Sequence, residues 1–190
     1  MPAPHPSATR RPLHRRALDV QVFMRDDGLF DVEASLIDTK SHDVPLAGLT
    51  RKAGDPIHEM HLQLTVDRTL TITAATSDTR WMPYVGACNA HGDAYARLVG
   101  LNLMTGFRQA VIERLGGTRG CTHLTELCQI LPTAVIQAMA GSVIDTREGD
   151  AEGNPPFQLD RCHALRRDGD TVARFYPRWH QLSEPATSDS

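Results

Sequence analysis

This chain predicts an α+β fold: an antiparallel sheet of two hairpins, covered on one face by helices and followed by a small C-terminal hairpin. Three observations predict it. The first half holds two pairs of alternating apolar and polar segments, each pair joined by a short polar turn. Each pair is apolar on one side only, so the sheet needs a covering layer. The second half then supplies apolar residues at helical spacing over residues 104–135.

Taken in order, residues 18–24 alternate, Arg25-Asp26-Asp27-Gly28 supplies turn chemistry, and residues 29–36 alternate again through Phe30, Val32 and Ala34. A polar stretch with Gly48, Gly54 and Pro56 separates this hairpin from the next. Leu62, Leu64 and Val66 share one face of residues 61–66, and Leu70, Ile72 and Ala74 share one face of the return strand across Asp67-Arg68-Thr69. Residues 81–92 read as a loop or short lid, and residues 94–99 as a helical stretch. A helix over 104–115 carries Phe107, Val111 and Leu115, with Gly116 where a C-terminal glycine belongs. A second helix from Thr122 carries Leu124, Leu127, Leu131 and Val135, with a kink or break expected at Pro132. After a loop at 149–156, residues 157–165 and 171–176 flank a turn at Arg166-Arg167-Asp168-Gly169, which reads as the last hairpin. Composition marks residues 1–16 as a disordered basic arm, 17–180 as one globular domain and 181–190 as a disordered tail.

The whole-chain numbers narrow the function classes. A net charge of −3 argues against nucleic acid as a partner, because such binders carry a basic stripe that displaces condensed counterions. The one basic cluster, Arg10 to Arg16, sits in the arm and reads as a solvated tail. No apolar run approaches the length of a membrane span or of a signal-peptide core, so a cytoplasmic protein with no membrane partner is expected. The cysteines at 88, 121, 128 and 162 are too few and too spread for a disulfide scaffold, which leaves packing, metal binding or thiol chemistry.

Chemistry concentrates in Gly116-Gly117-Thr118-Arg119-Gly120-Cys121-Thr122-His123-Leu124-Thr125-Glu126-Leu127. Glycines deliver Cys121 to a helix start, where unpaired backbone N–H groups and the helix dipole favour a thiolate. His123 and Glu126 follow within a turn. Cys128 lies on the apolar face and reads as core. Cys88 occupies a glycine-flanked turn, where packing explains a cysteine less readily, and His91 beside it reads as a surface histidine. Cys162 and His163 are neighbours in the expected last hairpin, so only one of them can reach a given site. His58 and His61 bracket the entry to the second hairpin, and a spacing of three sends them to opposite faces if the strand has begun. Asp31, Glu33 and Asp38 read as solvated strand carboxylates, Asp38 at the strand exit being the least ordinary of them. Zinc-ribbon, phosphate-loop, His-Glu-x-x-His and Gly-x-Ser-x-Gly patterns are absent from the sequence.

Residues 25–34, 36–40 and the GGTRGCTHLTEL string together resemble a bacterial family of unknown function over roughly residues 14–176, and that resemblance implies no activity. A second resemblance covers about residues 56–139. The order of residues 61–67, a return strand, Gly86-Ala87-Cys88 at a turn and Gly120-Cys121 opening a late helix is similar to the NifU-like iron-sulfur scaffold proteins. That resemblance implies a sheet packed on helices, with Cys88 and Cys121 as metal ligands and His58 in place of the family's aspartate. Pro56 stands where the family has its first cysteine, and Gly120 where it has a histidine.

Three readings follow. The first is a metal-binding accessory protein with zinc or iron, including an iron-sulfur cluster, held by His58, Cys88, Cys121, His123 and Cys162. The second is an enzyme acting on a small molecule, with Cys121 as an activated thiol beside His123 and Glu126. The third is a module for a protein partner whose cysteines only pack.

Overall fold

Alternation decides the sheet. In the computed structural model, which describes residues 8–46 and 48–182, every second residue from Phe30 to Asp38 points to one buried face. The strands are β1 (His14–Met24), β2 (Phe30–Lys40), β3 (Val44–Leu46), β4 (Leu49–Arg51), β5 (Pro56–Val66) and β6 (Ile72–Trp81). The main antiparallel sheet runs β1-β2-β5-β6. Both expected hairpins are present, and each is longer than its alternating core. The polar stretch between them folds as an additional small hairpin, β3-β4, which the lack of alternation there concealed.

Local chemistry fixes the turns. Gly28 takes φ 83° between β1 and β2, and Arg25 N–H donates to the Leu29 carbonyl at 2.9 Å. Between β5 and β6, Asp67 Oδ1 accepts the backbone N–H groups of Thr69 at 2.8 Å and Thr71 at 2.9 Å, an aspartate-driven turn.

Leu36, Leu62, Leu64, Val66 and Ile72 on the sheet are buried, as are Phe107, Val111 and Leu115 of helix α1 (Phe107–Leu115). Helix α2 (Thr122–Met139) buries Leu124, Leu127, Cys128, Leu131, Val135 and Met139. It runs through Pro132, where a kink or break is expected. An internal proline costs about 3 kcal/mol, whereas each fully buried leucine or valine contributes about 1.5–3 kcal/mol, and buried residues lie on both sides of Pro132. Residues 94–98 form a 3-10 turn, Ala94–Leu98, that buries Tyr95 and Leu98.

The chain divides into two compact units, the first ending at Ala138 and the second beginning at Met139. The domain expected over 17–180 takes in parts of both. The second unit corrects the expected C-terminal hairpin: it contains 3-10 turns at His163–Leu165 and Pro177–Trp179 and helix α3 (Asp170–Phe175), with Leu159 and Val172 buried. The turn at Arg166 does form, since Gly169 N–H donates to the Arg166 carbonyl. It leads into a helix because Asp170 then sits in a first helical turn, where its charge complements the free N–H groups. Of the ends expected to be disordered, residues 1–7 and 183–190 lie outside the described residues, and β1 begins at His14, inside the expected arm. Among the described residues no helix is long and apolar enough to cross a membrane.

Candidate metal centre

Asp38 is the one buried charged residue among those described, 2 % exposed. It shares the inward phase of Phe30, Val32, Ala34 and Leu36, so the alternation that builds the core also carries this carboxylate inside. Strand register supplies its neighbours: Arg16 of β1 and His58 of β5 are its direct cross-strand partners, a single row over three strands. A register shift follows at once between Asp38 and Thr39. The first turn of α2 brings His123 over the same spot, its ring 3.9 Å from that of His58.

Arg16 holds Asp38 with a two-pronged contact, Nε donating to Oδ1 and Nη2 to Oδ2, each at 2.8 Å. Its remaining Nη1 donates to Glu126 Oε2 at 2.6 Å, which ties β1 to α2. His14 Nε2 lies 3.1 Å from Asp38 Oδ1, His58 Nδ1 3.2 Å from Oδ2, and His123 Nε2 3.8 Å from Oδ2. Burial alone would raise the Asp38 carboxyl, but the Arg16 hydrogen bonds and charge, helped by His14 and His58, outweigh it and hold the group below the usual value. Burial lowers His58, against the pull of Asp38. It also lowers His123, with the His58 and Arg16 charges acting the same way. Burial thus favours the neutral form of both imidazoles, the form that has a lone pair for a ligand bond.

Asp38, His58 and His123 each offer one donor atom, and the three atoms lie within 4.8 Å of one another, a group that can hold a metal ion. His58 and His123, though not Asp38, also line a cleft of about 420 Å³ whose walls include Cys88, His91 and Cys121. Four of the residues singled out from sequence, His58, Cys88, Cys121 and His123, thus face one space. Cys121 Sγ is 3.9 Å from His123 Nδ1. Cys162 is exposed in the second unit, beside the turn at His163–Leu165, whereas the cleft walls belong to the first. Glu126 turns to Arg16. Cys128 is buried as expected, and burial pushes its thiol up to about 12.

The Gly-Cys entry to α2 has a packing cause. A Cβ at Gly120 would stand 2.8 Å from the Leu115 carbonyl oxygen and 3.1 Å from the Tyr95 hydroxyl. That buried hydroxyl accepts the Cys121 N–H at 3.1 Å and donates to the Cys121 carbonyl at 2.8 Å, so it fixes the start of α2 and the residues that follow. Asp38, Arg16 and His14 are the residues that sequence reasoning missed as site members. The signal for Asp38 was present: a carboxylate in phase with four inward apolar residues. Arg16 and His14 were assigned to the arm, and only the register of β1 against β2 shows otherwise.

Residues 14–137 match the family model described as protein of unknown function, DUF2889, and the chain belongs to that family. The comparisons with curated proteins and with solved structures return no match.

Proposed function

We propose that this DUF2889 protein is a metal-binding accessory protein whose centre is Asp38, His58 and His123, with one divalent ion at the edge of the cleft. The observation that carries the reading is the convergence of these three donors from β2, β5 and α2 within 4.8 Å. Two imidazoles and a carboxylate suit zinc or mononuclear iron(II), and a three-residue set leaves positions open to solvent or substrate, unlike the closed four-ligand shell of a structural zinc site. Arg16 on Asp38 would act as the outer partner that orients a ligating carboxylate. The donors in mutual contact are nitrogen and oxygen, which favours a mononuclear ion over an iron-sulfur cluster; Cys88 and Cys121 on the cleft wall are what keeps the scaffold-like reading open. Elemental analysis of protein purified without oxygen, followed by zinc titration of the metal-free chain, tests it. Near-stoichiometric metal that is lost in His58→Ala and His123→Ala, yet retained in Cys162→Ser, is expected. A folded wild-type chain that neither carries nor takes up metal refutes it.

A second reading rests on a different line of atoms. Cys121 Sγ, His123 and Asp38 Oδ2 lie in sequence, with separations of 3.9 Å and 3.8 Å, a thiol–imidazole–carboxylate order at a helix start. In that reading His123 takes the thiol proton, Asp38 replaces Glu126 as the orienting carboxylate, and the protein acts covalently on a small electrophilic substrate. A single cysteine, Cys121, alkylating far faster than Cys88 in metal-free protein, and slowing in His123→Ala, favours it. Both uses of His123 cannot operate together, so saturating zinc would suppress that reactivity.

A further inference from the structure

We propose that the outer edge of β1 is a self-association surface, through which two copies of this chain pair antiparallel about a twofold axis at Val20 and double the four-stranded sheet. The two edges of the sheet differ. The start of β6 is sealed by backbone bonds from Ile72 to Leu101 and from Leu103 to Leu70, and its pairing with β5 is broken by two register shifts. β1 has no such protection: it pairs without interruption to β2 over 11 residues and, among the described residues, has no strand on its other side. Its sequence, HRRALDVQVFM, lacks proline, lysine and a bulge, and its inward-pointing charge, Arg16, sits towards the start of the strand, where Asp38 and Glu126 hold it.

The face of β1 on the side of the core is also left partly open. Leu18 is 41 % exposed and Met24 80 %, whereas their partners Leu36 and Phe30 on β2 are buried. A second copy is the occupant that fits, because the strand is complementary to itself. With the axis at Val20, residues whose numbers add to twice twenty face each other: Leu18 meets Val22, Val20 meets Val20 and Asp19 meets Gln21 of the partner chain. From Leu18 to Val22 apolar residues then oppose apolar ones on the core side, Arg16 meets Met24 at either end, and within residues 16–24, all of which are paired, no like charges meet. Moving the axis by one residue to Asp19 sets two carboxylates opposite each other, and moving it to Gln21 pairs fewer residues. Side-chain parity is preserved, so both copies keep their helices on the same side of the joint sheet.

Sedimentation equilibrium of the full chain at micromolar concentration tests this, together with Val20→Lys and Leu18→Lys, each checked for folding by circular dichroism. Wild type is expected at twice the chain mass and the folded lysine variants at the single mass. If a lysine variant fails to fold, cross-linking decides: in a Cys162→Ser background, Val20→Cys should form a covalent dimer on mild oxidation and Met24→Cys should not. A monomeric wild-type chain overturns the proposal, whether the edge then stays open or the chain's own ends cover it. A dimer that persists in folded Val20→Lys, or cross-links equally at both positions, also overturns it.

Discussion

Replacing Arg16 with methionine keeps an apolar stem of similar reach and removes the guanidinium, and the geometry around Asp38 sets the cost. The Asp38 side chain is 3 % exposed and would lose two charge-assisted hydrogen bonds of 2.8 Å. Breaking a fully buried pair from one side costs about 3–5 kcal/mol. Arg16 itself is 33 % exposed, so water can enter and the carboxyl can take up a proton, which lowers the expectation to about 2–4 kcal/mol. The contact between Arg16 and Glu126 joins two partly exposed side chains and adds no more than about 1 kcal/mol. The pH dependence gives the sharper test. With Arg16 present, the folded-state value of Asp38 lies below the unfolded one, so the group adds stability above the ordinary 3.8 and loses it as pH falls through the folded value. Without Arg16, burial dominates and raises the carboxyl, so the charged form costs stability at neutral pH and the cost vanishes once both states are protonated. Losing the Arg16 charge also relieves His58 and His123, which further helps the variant on acidification. The stability gap between wild type and Arg16→Met should therefore be widest near neutral pH and narrow towards acid. Urea unfolding at several pH values measures it. A gap below about 0.5 kcal/mol, the scale of an ordinary surface change, or one that is constant with pH, refutes the reasoning.

Gly120→Ala must displace the Leu115 carbonyl or Tyr95, at about 1–3 kcal/mol for overpacking; thermal unfolding checks the loss. Tyr95→Phe leaves the Cys121 N–H without its hydroxyl partner and should cost about 1–3 kcal/mol, with faster hydrogen exchange at the start of α2. Leu124→Ala removes a fully buried side chain one residue from His123 and should cost about 2–5 kcal/mol in chemical unfolding. Cys128, buried and with its thiol pushed up to about 12, should resist iodoacetamide in the native chain while exposed Cys162 reacts, as mass spectrometry of the peptides will report; rapid native labelling of Cys128 would contradict its placement in the core.

The elements legible in the sequence were those that advertise themselves locally. Leu62, Leu64 and Val66 alternate, Gly28 and Asp67 mark turns, and Phe107, Val111 and Leu115 repeat at helical spacing, so the hairpins and α1 could be read without knowing their partners. The readings that failed involved a local rule meeting a non-local competitor. Pro132 should interrupt a helix, yet the leucines and valine around it are buried together and the helix continues. Residues 157–176 carry a hairpin-like turn, but Asp170 after Gly169 starts a helix.

The site divides in the same way. By itself the sequence determined that Cys121 and His123 open a helix and that β2 turns alternate residues inward. Tertiary structure alone decided that the inward phase of β2 ends on a carboxylate braced by Arg16, and that His58 and His123 meet over it. Arg16 and Glu126 lie 110 residues apart, and no local pattern specifies such a contact. It follows from strand register and from burial of the apolar face of α2 against its neighbours, both of which are settled when the whole core closes rather than within any one segment.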